Sequence, residues 1–88
     1  MNVRYEASFA KDLRNIRDKS LLRKIKNAID EVKNSKDIRR INELKKLRGY
    51  KTFYRVKLGD YRIGIEIVAN EIIFVRFLHR KEVYRFFP

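Results

Sequence analysis

Lys57, Arg62, Arg80 and Tyr84 are the residues of this chain whose types and spacing can do chemistry. A phosphodiester in RNA carries its own nucleophile, the 2′-hydroxyl. Its cleavage therefore needs a base for that hydroxyl, cations for the charged phosphorane and a proton donor for the leaving 5′-oxygen, and no metal. Lys57 is the candidate base, because an arginine directly opposite it disfavours its charged form. Arg62 and Arg80 suit charge stabilisation, since a guanidinium stays ionised and grips phosphate oxygens with a fork of donors. Arg55 and Arg76 can position the RNA backbone, and Lys45 and Arg48 join them as candidate RNA contacts. His79 suits a general acid, as imidazole titrates near pH ~6.5. Strict alternation instead gives it apolar parity, as a capped or half-buried structural residue. Tyr84 can stack on an exposed base or bond near the phosphate, or it can simply cover the sheet with Phe86 and Phe87. Each cation taken alone also reads as plain surface charge. Their convergence is what matters.

That convergence depends on three consecutive strands between Thr52 and Tyr84. Gly59-Asp60 is a two-residue turn signal between FYRVKL and YRIGIEIV, both rich in β-branched and aromatic residues. The turn pairs Leu58 with Tyr61, Val56 with Ile63 and Tyr54 with Ile65 along one apolar face. On the other face Lys57 opposes Arg62, and Arg55 opposes Gly64. An opposite-charge pair would contribute roughly 0.2–1 kcal/mol, whereas opposed cations destabilise. A chain that keeps them is holding an anion site, or is dressing a sheet edge against aggregation. Gly64 favours the site, because a strand-interior glycine lets a ligand or another backbone approach closely. For the third strand, a three-residue loop at Ala69-Asn70-Glu71, with Asn70 left-handed, sets Ile67 against Ile73, Ile65 against Val75 and Ile63 against Phe77. Arg76 then opposes Gly64 and joins the basic face. A two-residue loop would bury Arg76 beside Ile63, which costs far more than one loop residue. Arg80 shares that parity just past the strand end.

Ahead of these strands, Val3 to Glu6 alternates like a short strand. Ser8 reads as the N-cap of a helix through Phe9, Ala10, Leu13 and Ile16, with Asp12 in its first turns. Ser20 can cap a second helix with a stripe of Leu21, Leu22, Ile25, Ala28, Ile29 and Val32. Ile38, Ile41, Leu44 and Leu47 recur every three residues, predicting a short helix or turn that Gly49 ends. The result is one domain, 1–88, of α+β class: helices on one face of a small antiparallel sheet, the cationic face open.

The chain has 88 residues and a formal charge of +12, from 23 Lys+Arg against 11 Asp+Glu. Such a balance points to polyanions, nucleic acid first and an acidic protein second. There is no cysteine and one histidine. That excludes disulfides, thiolate chemistry and a multi-histidine metal site, and fits a reducing cytoplasm. Glu66 is the only acid inside the basic strands, which argues against a carboxylate metal cage. No apolar run is long enough for a membrane span, and MNVRYEASF lacks a signal-peptide core, so export is not expected.

The order KLRGYKTFYRVKLGDYRIGIEI, an apolar strand, and then HRKEVY resembles the RelE/ParE superfamily of toxin–antitoxin toxins. The resemblance covers most of the chain and implies two or three helices against an antiparallel sheet. For the RelE branch it implies metal-free cleavage of mRNA in the ribosomal A site and neutralisation by an antitoxin that wraps around the toxin. Lys57 falls on that branch's general-base lysine, Arg62 on its first phosphate-binding arginine, and Arg80 and Tyr84 on its second arginine and C-terminal tyrosine. Arg55 stands where the type member has another lysine, and the Arg80-to-Tyr84 spacing is shorter. His79 resembles the histidine that some members use as an acid or base. The ParE branch shares the fold and poisons DNA gyrase without catalysis.

Three readings follow: a ribosome-dependent endoribonuclease, a non-enzymatic gyrase inhibitor, and a basic adaptor that binds nucleic acid. Either toxin reading implies a small cognate antitoxin rich in Asp and Glu.

Overall fold

The Gly59-Asp60 turn closes the central hairpin with the register its sequence dictates. In the computed structural model, which describes residues 2–88, Leu58 pairs with Tyr61, Val56 with Ile63, Tyr54 with Ile65, Arg55 with Gly64 and Lys57 with Arg62. Gly59 has φ 59°, the positive value that the first position of a tight hairpin turn of this kind requires. Around this hairpin the elements run β1 (Asn2–Tyr5), α1 (Ala7–Arg14), α2 (Lys19–Asn34), a 3₁₀ turn (Ile38–Arg40), β2 (Leu44–Lys46), β3 (Phe53–Leu58), β4 (Tyr61–Val68), β5 (Glu71–His79) and α3 (Val83–Phe86). The sheet order is β1-β5-β4-β3-β2, antiparallel except for the parallel β1–β5 pair. The α+β class follows as expected.

α1 packs on β5 and α2 on β3, so one sheet face buries Phe9, Ile25, Val32, Val56, Ile63, Ile65 and Phe74. The helix caps differ from the sequence expectation. Asp18, not Ser20, caps α2, its Oδ1 accepting from the Ser20 and Leu21 amides at 2.9 and 3.2 Å. Glu6 occupies the N-cap of α1 without a side-chain bond, and Ser8 donates instead to the Val75 carbonyl at 2.7 Å. No helix among the described residues is long and apolar enough to cross a membrane.

The third strand corrects the loop argument. Val68 pairs with Glu71, so the connection is the two-residue turn Ala69-Asn70, and Ala69 rather than Asn70 takes the positive φ, at 52°. Parity is restored inside the strand. Ile65 pairs with Phe74 and Gly64 with Arg76, leaving Val75 as a β-bulge between them. The extra residue sits in β5 instead of in the loop. Ile63 still meets Phe77, and Arg76 still lies opposite Gly64.

The other sheet face is less open than the sequence suggests. α3 folds back onto it, and Val83 and Phe87 form a second apolar cluster with Leu47 and Leu78. The Phe87 ring stands over Gly64, where an added Cβ would lie 2.9 Å from three of its atoms. Gly64 therefore admits this ring, and not a ligand. Gly64→Ala should cost about 1–3 kcal/mol by forcing the ring off the strand, read as a lower midpoint in urea unfolding.

Candidate functional site

Two like-charged pairs lie side by side on the face opposite α1 and α2. Lys57 opposes Arg62 across β3–β4, and Lys45 opposes Arg55 across β2–β3. The β2 strand, which the sequence does not predict, is what brings Lys45 there. Lys45 and Lys57 are exposed, and Arg55 and Arg62 half-buried. The guanidinium of Arg55 donates to the Glu43 carbonyl at 2.9 Å, the same oxygen that accepts the Lys57 amide at 3.0 Å. This carbonyl fixes the edge loop against β3. Arg62 donates from Nη1 to the Gly59 and Tyr61 carbonyls, both at 2.8 Å. Those two bonds orient the guanidinium at the hairpin end and leave Nε and Nη2 as further donors.

Arg80 comes to the same corner just past the strand end, one step further along the β4–β5 register, as its parity predicts. β5 ends at His79, which pairs with Tyr61, and the Arg80 amide donates to the Asp60 carbonyl at 2.7 Å. Its guanidinium rests 3.8 Å from the Asp60 carboxylate, with both side chains well exposed. An exposed ion pair of this kind contributes about 0–1 kcal/mol, so a phosphate can displace the carboxylate readily. His79 is half-buried, its ring edge-on to Tyr61 at 5.4 Å, and its Nδ1 accepts the Lys81 amide at 3.2 Å. The neutral tautomer consequently carries its proton on Nε2.

Arg76 is the exception. Register places its Cα on the basic face, but its guanidinium turns to α1 and grips Asp12, Nε to Oδ2 at 2.8 Å and Nη2 to Oδ1 at 3.1 Å. Asp12 Oδ2 also accepts the Phe77 amide at 2.9 Å. β1 ends opposite Phe74, so this part of β5 has a bare edge, and Ser8 and Asp12 satisfy it. The hydrogen bond to Asp12 holds the Arg76 proton more tightly than usual. Arg76 is therefore a structural tie and not an RNA contact. With side-chain exposures of 26% and 14%, the pair is largely desolvated. Asp12→Ala should destabilise by about 3 kcal/mol, because it strands a guanidinium and a buried amide together. Chemical denaturation measures this directly.

Arg48 and Tyr84 lie beyond the Arg55 row, where Leu47, Arg48, Tyr50, Tyr84, Phe87 and Pro88 line a cleft of about 260 Å³. Tyr84 is 68% exposed, so it does not cover the sheet, whereas Phe87 is 2% exposed and does. Phe86 stays half-exposed. Tyr50, an exposed aromatic just after Gly49, lies inside the KLRGYKTFY stretch, but the sequence assigns it no role. A larger cavity of about 400 Å³ opens on the helical side between the α1–α2 loop and the β3–β4 turn. None of the expected catalytic side chains lines it. The Lys57–Arg62 pair lies on the opposite face.

Known proteins share this fold. A family model described as the ParE toxin of type II toxin–antitoxin systems matches residues 3–84. Toxin RelE3 of Methanocaldococcus jannaschii is 40% identical over the whole of both chains. The chain belongs to the RelE/ParE toxin superfamily. It is the toxin of a toxin–antitoxin pair. The toxin's fold is close to that in the RelB–RelE antitoxin–toxin complex from Methanococcus jannaschii, with TM-score 0.79 and 39% identity over 97% of this chain and 99% of that one. It also matches the archaeal RelE–RelB complex from Pyrococcus horikoshii OT3 in fold, with TM-score 0.72 and 23% identity over 90% and 93% of the two chains.

Proposed function

We propose that this toxin is a metal-independent endoribonuclease that cuts mRNA on translating ribosomes. The observation that carries the reading is Lys57 opposed to Arg62 at the hairpin end to which the backbone also brings Arg80. Lys57 takes the proton of the 2′-hydroxyl, whose oxygen attacks the adjacent phosphorus. Arg62 and Arg80 hold the non-bridging oxygens as their charge grows. The 5′-oxygen leaves with a proton taken from solvent, because the His79 ring packs on Tyr61 on the other face of the sheet and its Nδ1 already accepts the Lys81 amide. The products are a 2′,3′-cyclic phosphate and a 5′-hydroxyl. Tyr84, Arg48, Arg55 and Lys45 hold the rest of the strand.

Its partner is a small acidic antitoxin in the cytoplasm. The relative from Methanococcus jannaschii was solved as an antitoxin–toxin complex, and a +12 surface suits a chain rich in Asp and Glu. The ParE description of the matching family supports a second reading, a gyrase inhibitor that catalyses nothing. Induced expression separates the two. New mRNA 5′ ends within open reading frames, with DNA supercoiling intact, are the expected result. Uncut message with supercoiling lost supports the gyrase reading.

A further inference from the structure

We infer that the cleft between Tyr50 and Tyr84 is a notch for one unpaired base of single-stranded RNA, and that Tyr50 and Arg48 govern which nucleotide is held beside the cut. This deepens the nuclease reading and rests on it for its place in catalysis. The cleft adjoins the cations directly. Phe87, part of its wall, covers Gly64, two residues along β4 from Arg62 and so about 7 Å from the Lys57–Arg62 row.

Its walls suit a base. Tyr50 is held in place though 46% exposed: Gly49, at φ 86°, turns the chain, and the Tyr50 amide donates to the Leu47 carbonyl at 3.3 Å. Its ring meets Phe53 edge-on at 5.7 Å, and Phe53 meets Phe87 edge-on at 5.5 Å. That chain of rings buttresses Tyr50 from the buried side. Tyr84, on α3, supplies a second exposed ring, and Leu47 with Phe87 an apolar floor. Sites for drug-sized molecules run roughly 300–1,000 Å³, and this one, at about 260 Å³, is on the scale of a single flat ring system. Arg48 at its rim supplies charge for the attached phosphate or a guanidinium plane for the base. An exposed aromatic pair with a cation beside it is how proteins hold single-stranded nucleic acid.

The test uses the full-length toxin and trinucleotides with 2′-O-methyl groups throughout, which cannot be cleaved, carrying 2-aminopurine at one position at a time. The wild type should quench the emission at one position. Tyr50→Ala should weaken that binding about five- to tenfold, the loss expected when one stacking partner goes. Tyr50→Phe, which keeps the contact with Phe53, should bind like the wild type. Equal quenching by wild type and Tyr50→Ala, or no position-dependent quenching at all, overturns the inference. In parallel, mapped mRNA cuts should change position in Tyr50→Ala. Message cut normally by that variant, without Tyr50-dependent stacking, sinks the notch alone. Tyr50-dependent stacking by a wild type that leaves message uncut sinks the nuclease reading and keeps the notch as an RNA site.

Discussion

Arg62→Ala is expected to lower mRNA cleavage on translating ribosomes about 10²–10³-fold and to release the growth arrest caused by expression. That is the scale of removing one preorganised donor from a developing oxyanion. Arg62 is preorganised because Nη1 is already spent on the Gly59 and Tyr61 carbonyls, which fix the plane of its remaining donors. Arg62→Lys should recover only part of the loss, since an ammonium is a point charge without a fork. The fold should survive, because the strand pairing around position 62 is made by the backbone and the apolar partners Val56, Ile63 and Phe77. Antitoxin capture with unchanged circular dichroism checks that. If Arg62→Ala still arrests growth, the phosphate is held elsewhere.

Lys57→Ala is expected to cost about 10²–10⁴-fold in the same assay, the contribution of a positioned general base. The sharper variant is Lys57→Arg. It keeps the charge opposite Arg62 and the reach to phosphate, yet a guanidinium cannot give up its proton near neutrality. A binding role predicts near-normal cutting by Lys57→Arg; a base predicts the alanine phenotype. Lys57 is exposed and its side chain anchors nothing in the core, so neither change should alter the unfolding free energy by more than about 0.5 kcal/mol.

Much of this is legible in the chain itself. Gly59-Asp60 with alternation on both sides specifies one register, because a slip by one residue would turn Val56, Ile63 and Ile65 to solvent. The Lys57–Arg62 opposition follows from that alone. β2 escapes notice because three residues are too few to show alternation, and the spacing of Ile38, Ile41, Leu44 and Leu47 mimics a helix. α3 is a single turn held by Val83 and Phe87 against the sheet, and no local propensity announces it. The bulge at Val75 shows why parity finds the right partner for Arg76 through the wrong loop: it counts residues without saying where the extra one sits. Parity also fixes a Cα and not a guanidinium, so it cannot foresee Asp12, distant in sequence, claiming Arg76. Gly64 does mark a close approach, but the occupant is Phe87.

The chemistry of the cut ends tests the nuclease most directly. Message recovered from ribosomes exposed to the toxin should carry a 5′-hydroxyl on the downstream fragment and a 2′,3′-cyclic phosphate on the upstream one, because the attacking oxygen belongs to the RNA. A 5′-phosphate at the cut would mean that water attacked instead. It would contradict Lys57 as the base for the 2′-hydroxyl, and with it Arg62 and Arg80 as the clamp on the phosphorane.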